Sequence, residues 1–298
     1  MDTVTHTLFG LVLYGSVDKT NMDRRTKTVF LTTAVVGSQI PDIDVVSSFF
    51  DDEGQYQWWH RGITHSLFMV PVFAFILSWL AQKIGKIRDK RLFWLALLAV
   101  LIHNVSDAFN TWGTGLFEPF SSQRIAFGTI PIVDLTIWSI MLIGFLYRMF
   151  KKGSTHRLYH VVWLVIAAHF LIQTVQGYVI YQQYEDDYEQ HVVSARFAPW
   201  HFSIIGNEGA HVEIIHDTVW GEPEVAYEFE SAEEADLSQL FADRPEAEVV
   251  MEWSPFVVIV DDDETLGVFD PRFYRNGQST VFEYIEKNVE DMFDVEEE

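Results

Sequence analysis

Between Leu158 and Tyr184 the chain runs for 27 residues without an Asp, Glu, Lys or Arg. That is enough for a helix to cross a hydrocarbon core of roughly 30 Å at about 1.5 Å per residue. A second charge-free run covers residues 62–82, and further apolar stretches lie at about 4–17, 28–50, 92–109 and 131–149. Several of these are shorter than the ~20 residues a perpendicular span needs, and taken alone each reads equally well as a buried core helix. The loops between them decide. Basic residues crowd every second loop: Lys19, Arg24, Arg25 and Lys27; then Lys83, Lys86, Arg88, Lys90 and Arg91; then Arg148, Lys151, Lys152 and Arg157. The intervening loops hold one arginine each, Arg61 and Arg124. The positive-inside rule then predicts six spans with the basic loops cytoplasmic and both termini outside. Residues 1–17 lack a basic start and a small-residue cleavage pattern and carry His6 within their apolar run, so they read as a retained first helix, not a signal peptide.

Charge divides the chain in two. The net charge is -23, but residues 1–183 balance at +3 and residues 184–298 at -26. The expectation is an all-α polytopic membrane domain of about six helices over residues 1–183, followed by a small acidic α+β extracytoplasmic domain over residues 184–298. So acidic a chain lacks the concentrated Lys/Arg surface that nucleic acid requires. There is no cysteine, which removes disulfides and thiolate ligands and leaves His and carboxylate to hold any metal.

The residues that bear on function are those a lipid-facing helix excludes. His6 lies in the first helix, Asp42 and Asp44 follow Pro41 at the end of the second, and His60 and His65 precede the third. His103 and Asp107 close the fourth, and Asp134 opens the fifth. Ionisable groups at membrane depth are costly and usually face a cavity, a partner or a metal. In the six-span topology they all fall at the outer ends of their helices. His103 and Asp107 are four apart and share a helical face. Pro41 ends or kinks its helix, which lets Asp42 and Asp44 point to one locus. Histidines with carboxylates and no sulfur suit zinc, with manganese or iron as alternatives, and a bridging carboxylate would permit two ions about 3.5–4 Å apart. His169 and Gln173 read as an interhelical hydrogen-bonding pair, and His156 and His160 are given no role.

These motifs resemble the membrane-bound, metal-dependent hydrolase family of the YdjM or YfhP type. The resemblance rests on Thr5-His6 with Gly10, Pro41-Asp42-Ile43-Asp44, His60-Arg61-Gly62-Ile63-Thr64-His65-Ser66, and His103-x-x-x-Asp107 followed by Asn110-Thr111-Trp112-Gly113, over about residues 1–150. The family is regarded as distantly related to zinc-dependent phospholipase C and the P1-type nucleases. The resemblance implies that an Asp of the Pro-Asp-x-Asp motif, His65, His103 and Asp107 hold a first metal, with His6 joining a bridging Asp107 at a second. The soluble enzymes carry a further His/Glu set for a third ion, and nothing after Asp107 matches it beyond Asp134. Asp44 is assigned here to the metal and Asp42 to the general base, though the two are interchangeable at this stage. His60, Arg61 or Arg124 would stabilise negative charge on a phosphate-like group.

After Gln183 the apolar runs become short and alternating. Residues 192–197, 211–215, 225–229, 249–253 with 257–260, and 280–285 are predicted strands, and residues 233–241 a helix. Asp261-Asp262-Asp263-Glu264 lacks the spacing of an EF-hand loop and reads as an exposed turn. Glu296–Glu298 reads as a solvated tail.

The leading expectation is a membrane-bound hydrolase with one or two divalent ions, acting on a phosphorylated or lipid-like substrate, with membrane lipid as its surroundings. The alternative is a non-catalytic membrane protein with a structural metal and an acidic partner-binding domain. A transporter fits poorly, because the ionisable residues gather at one face instead of tracing a path across the midplane.

Overall fold

The computed structural model describes residues 1–51, 53–150 and 156–287. Lys151, Lys152 and the Glu296–Glu298 tail lie outside the described residues. The chain forms two compact units that interleave along the sequence: Met1–Val45, Arg61–Val179 and Ser194–Phe202 in the first, and Val46–His60, Ile180–Val193 and Ser203–Glu298 in the second.

The first unit is helical. Helix α1 (Thr3–Ser16) starts where the Asp2 side chain accepts the Val4 and Thr5 amides, and α2 (Arg24–Gly37) starts where Asp23 accepts the Thr26 amide. Such caps satisfy the first free N–H groups of a helix. Pro41 opens a 3-10 helix, Ile40–Phe50, and the short helix α3 (Tyr56–Trp59) follows; the last residues of the former and all of α3 fall in the second unit. Then come α4 (Met69–Gly85), α5 (Arg91–Ala108), α6 (Leu135–Phe150) and α7 (His156–Gln183). One core cluster joins Phe9 and Val12 of α1 to Ile137 and Met141 of α6 and Val162 and Ile166 of α7. Another joins Leu13 of α1 to Phe30 and Ala34 of α2 and Leu92, Leu95 and Ala99 of α5. Outward faces stay apolar: Phe75 and Trp79 of α4, Leu142 and Ile143 of α6, and Leu164 and Leu171 of α7 are exposed. Helices apolar all round belong in a bilayer.

Among the described residues two helices, α5 and α7, are long and apolar enough to cross a membrane. The number rises to four if Arg24–Gly37 with Ile40–Phe50, and Tyr56–His65 with Met69–Gly85, each count as one bent span. The six spans expected from loop charge exceed this, because α1 has 14 residues and α6 has 16, about 21 and 24 Å at ~1.5 Å per residue.

Close approach of α1 to α2 and of α2 to α5 depends on two glycines. A Cβ on Gly10 of α1 would meet Ser38 Oγ at 2.5 Å and the Ala34 carbonyl of α2 at 2.9 Å, and one on Gly37 would meet Ala99 Cβ of α5 at 2.9 Å. Small residues at such crossings let helix backbones approach.

The second unit contains a four-stranded sheet in the order β1 (Gln190–Ala195), β2 (Phe202–Glu208), β3 (His211–Asp217), β4 (Glu224–Glu230), whose β1 and β2 begin or end in the first unit's segment. After α8 (Ser238–Asp243) and α9 (Glu246–Trp253), β5 (Val258–Asp261), β6 (Thr265–Phe269) and β9 (Phe282–Glu286) form an antiparallel sheet. The two-residue strands β7 (Tyr274–Arg275) and β8 (Gln278–Ser279) pair between them. Ile205, Val212 and Ile214 share a core with Val258 and Phe269. The strand expected at 249–253 is helix α9: Ala247, Val250 and Trp253 are buried at a three-residue spacing, Pro245 precedes the helix, and Glu246 and Glu248 sit in its first turn, where the dipole favours acids. Asp262 accepts the Glu264 and Thr265 amides in a β5–β6 turn, the exposed turn expected there.

Replacing Gly10 by Leu forces α1 away from α2 and lowers stability by about 1–3 kcal/mol, read as a drop in the thermal midpoint in detergent. In the second unit His211 bonds Glu213 at 2.9 Å and Glu230 at 2.8 Å, and those carboxylates raise its pKa above the ordinary 6.5. Its contribution is therefore complete below that value and is lost as pH rises through the elevated folded pKa. A His211→Gln variant flattens this part of the stability–pH curve, measured by denaturation between pH 5 and 9.

Candidate metal centre

Four side chains from three separate segments of the first unit meet inside it. Asp42 follows Pro41 at the start of the 3-10 helix, His65 ends the 3-10 turn Ile63–His65, and His103 and Asp107 stand one turn apart on α5. One potential ligand atom from each lies within 4.8 Å of all the others. His65 Nε2 and His103 Nε2 are 3.1 Å apart. Asp42 Oδ1 is 3.3 Å from the first and 3.4 Å from the second, and Asp107 Oδ2 is 3.5 and 3.6 Å from the same two atoms. His65, His103 and Asp107 are wholly buried, while the Asp42 side chain keeps 23% exposure.

The outer nitrogens of the two imidazoles reveal what the inner ones are for. His103 Nδ1 lies 2.8 Å from the Ser38 carbonyl, which only accepts, so Nδ1 carries the proton and Nε2 presents a lone pair. His65 Nδ1 lies 3.2 Å from Asp44 Oδ2 and 3.0 Å from the Thr64 hydroxyl. Thr64 donates to that same Asp44 oxygen at 2.8 Å, which leaves Nδ1–H as donor and Nε2 bare. Two lone pairs and two carboxylates converging in a buried space repel unless a cation or protons lie among them. Asp107 Oδ2 makes no hydrogen bond among the described residues and has the Arg61 guanidinium at 3.4 Å, so it keeps acceptor capacity for a metal ion. An imidazole whose far N–H is held by a carboxylate or carbonyl is the usual arrangement around protein metal ions, so the donor set fits a divalent metal.

Asp107 also faces a second group. Its Oδ1 contacts the Met1 nitrogen and lies 3.2 Å from His6 Nε2. The His6 ring stacks on His103 at 3.7 Å between centroids, and His6 Nδ1 has no partner among the described residues. His6 thus adjoins the four-residue cluster through Asp107 without belonging to it. Arg61 is 4% exposed and has φ +59. Its Nε is 3.4 Å from Asp107 Oδ2, and its backbone amide donates to Asp44 Oδ2 at 3.0 Å.

The sequence-predicted residues take different positions. Asp42 faces the two Nε2 atoms, and Asp44, expected at the metal, contacts His65 Nδ1, Thr64 and the Arg61 amide. His60 belongs to the second unit, where its ring stacks on Tyr56 of α3 at 5.0 Å. Arg124 donates to the Gly113 carbonyl. Asp134 stands apart from the cluster: it accepts from His169 Nε2 at 2.9 Å and caps α6 through the Ile137 amide. The amide of Gln173, expected to share in that pair, has no partner among the described residues. The Ser38 carbonyl and the Thr64 hydroxyl, which orient the two imidazoles, are functional groups that sequence reasoning misses. Thr64 lies within the His60–Ser66 motif and could have been found there, but a backbone carbonyl leaves no signal in sequence.

Fold and cluster together define a helical membrane protein with a buried His/Asp centre able to hold a metal ion. The model of the family described as YdjM inner membrane protein matches residues 1–180, and the chain belongs to that family. It is also similar to the uncharacterized protein YfhP of Bacillus subtilis (strain 168), at 27% identity over 214 residues. That match covers 68% of this chain and 65% of the relative. No solved structure matches the chain.

Removing a cluster donor and removing its support have different expected costs. Asp42→Ala and His103→Ala lose stoichiometric metal after purification, whereas Asp44→Asn keeps it with affinity weakened by about 10–100-fold, read by competition against a graded series of chelators.

Proposed function

We propose that this protein is a metal-dependent hydrolase of the cell membrane that cleaves a phosphoester in an amphiphilic substrate. The observation that carries the reading is the set of four donor atoms within 4.8 Å, two of them bare imidazole nitrogens held in place from behind. Asp42, His65, His103 and Asp107 would hold the ion, zinc by donor type, with manganese or iron as alternatives. His6 and the Oδ1 side of Asp107 offer a place for a second. When bound, such an ion lowers the pKa of a water to about 7 and polarises a phosphoryl oxygen.

The remaining steps belong to the chain's own residues. Asp42 is the cluster carboxylate with an exposed edge, so the centre reaches solvent on its side. Asp44 and Thr64 keep His65 in the tautomer that leaves Nε2 free. Arg61 holds a positive charge beside Asp107, offsetting the carboxylates and favouring an anionic substrate group. The basic residues at 19–27 and 83–91, at the opposite ends of α2, α4 and α5 from the centre, support an outer-face reading for it. The resemblance of the His60–Ser66 and His103–Asp107 motifs to a metal-dependent hydrolase family supports the reaction class.

A second reading is favoured by the complete burial of His65, His103 and Asp107: a structural metal, closed to substrate. Metal analysis of detergent-purified protein beside His103→Ala and Asp107→Ala, with the same samples assayed on a panel of phosphodiesters and phospholipids, separates the two. Metal with turnover in the wild type, both lost in the variants, supports the hydrolase. Metal without turnover on any ester supports the structural role, and metal-free protein purified at neutral pH overturns both.

A further inference from the structure

The metal centre leaves unexplained an apolar groove of about 540 Å³ between α5 and α7, with Phe9 of α1 also in its wall. Its volume falls in the range of roughly 300–1,000 Å³ typical of small-molecule sites. The α5 wall runs from Leu101 to Phe109 and the α7 wall from Trp163 to Thr174, about 12 and 16 Å along the two helices at ~1.5 Å per residue. The two hydroxyls in the lining are already engaged, Ser106 with the His103 carbonyl and Thr174 with Thr129. Water needs two to four polar partners to settle in a cavity, and these walls do not supply them.

What fills such a groove follows from where it opens. Its rim residues Val105 and Leu171 are exposed and continue into the exposed apolar faces of α5 and α7, at Leu98, Leu164 and Val175. Both helices are long and apolar enough to cross a membrane, so these faces meet lipid chains. The groove and the metal centre are built on the same helices, α1 and α5. Ser106 lies between His103 and Asp107 on α5, and Phe9, one turn from His6, stands edge-on to its ring at 6.3 Å. A hydrocarbon chain lying along α5 carries its polar end to the Phe109 end, the end of the helix that also bears Asp107.

We infer that this groove binds one hydrocarbon chain of a membrane lipid and that this lipid is the substrate of the metal centre. The second half rests on the hydrolase reading; the first does not. The probe is phosphatidylglycerol with a diazirine at the end of one acyl chain, incorporated into nanodiscs with the full-length protein. Cross-links are expected to concentrate on peptides covering residues 101–109 and 163–174. Ala167 is an exposed groove residue, so Ala167→Trp fills the space and lowers that labelling by about tenfold, while Leu164→Trp on the outer face leaves it unchanged. Ala167→Leu gives a smaller loss and serves if the tryptophan variant fails to fold. Labelling spread evenly over the apolar faces and insensitive to Ala167→Trp overturns the site, as does a cross-link between two copies through these peptides. In the kinetic arm, Ala167→Trp raises KM for the long-chain lipid and leaves hydrolysis of bis(4-nitrophenyl) phosphate unaltered. Groove labelling with an unchanged lipid KM overturns the substrate assignment. Absence of turnover on either ester overturns the hydrolase reading, and the cross-linking result still decides the groove.

Discussion

Everything in the first unit is arranged around a repulsion that the protein keeps. Two imidazole nitrogens with inward-facing lone pairs stand 3.1 Å apart beside two carboxylates, and three of the four side chains are wholly buried. Uncompensated, such a group of charges and lone pairs costs several kcal/mol, and a chain selected only for stability would replace it with leucines. Its retention, with the outer nitrogens of His65 and His103 tied to a carboxylate and a carbonyl, makes sense as a site prepared for a cation. The second layer is as informative as the first: Ser38, Asp44 and Thr64 do not touch the shared space, yet they decide which nitrogen faces it.

The packing that permits this is equally specific. The Ser38 carbonyl reaches His103 because α2 crosses α5 closely at Gly37, and His6 reaches His103 and Asp107 because α1 crosses α2 closely at Gly10. Side chains at those two positions would separate the helices by more than the hydrogen bonds of the centre tolerate. Burial of Phe30, Leu92 and Phe9 in the neighbouring clusters then holds the crossings at that separation, so apolar packing and polar chemistry depend on the same two contacts.

Much of the centre is legible in the sequence because the membrane makes polar residues conspicuous. His65, His103 and Asp107 stand out in apolar stretches, whereas the core of a soluble protein accommodates a lone histidine or aspartate for many unrelated reasons. The choice between Asp42 and Asp44 is not legible. They are two residues apart, and which one turns inward is decided by a 3-10 turn after Pro41 whose path depends on contacts with segments distant in sequence. The span count fails for a related reason: loop charge reports which side a segment faces, whereas length decides whether it crosses, and α1 and α6 are short. In the second unit, residues 249–253 mislead because a short apolar run fits strand and helix alike. There the discriminating signal is Ala247, three residues before Val250, with Pro245 and two glutamates at the helix start. The acidic bias of the tail is visible at once, but charge says nothing about register, and β2 and β6 are missing from the predicted strands.

The first helix joins the metal centre to the apolar groove. His6 and Phe9 lie one turn apart on α1, the first against Asp107 and His103, the second in the wall of the apolar groove and 5.4 Å from Trp163 of α7. Helix α1 is too short to be an independent span, and its burial against α2, α5 and α6 makes it an internal wedge. A wedge of this kind cannot move toward the groove without displacing a histidine from the centre, nor toward the centre without opening the groove. The same element therefore sets the distance between the groove and the donor atoms of the centre. That is a sufficient physical reason for a 14-residue helix carrying a buried histidine to persist in a membrane protein.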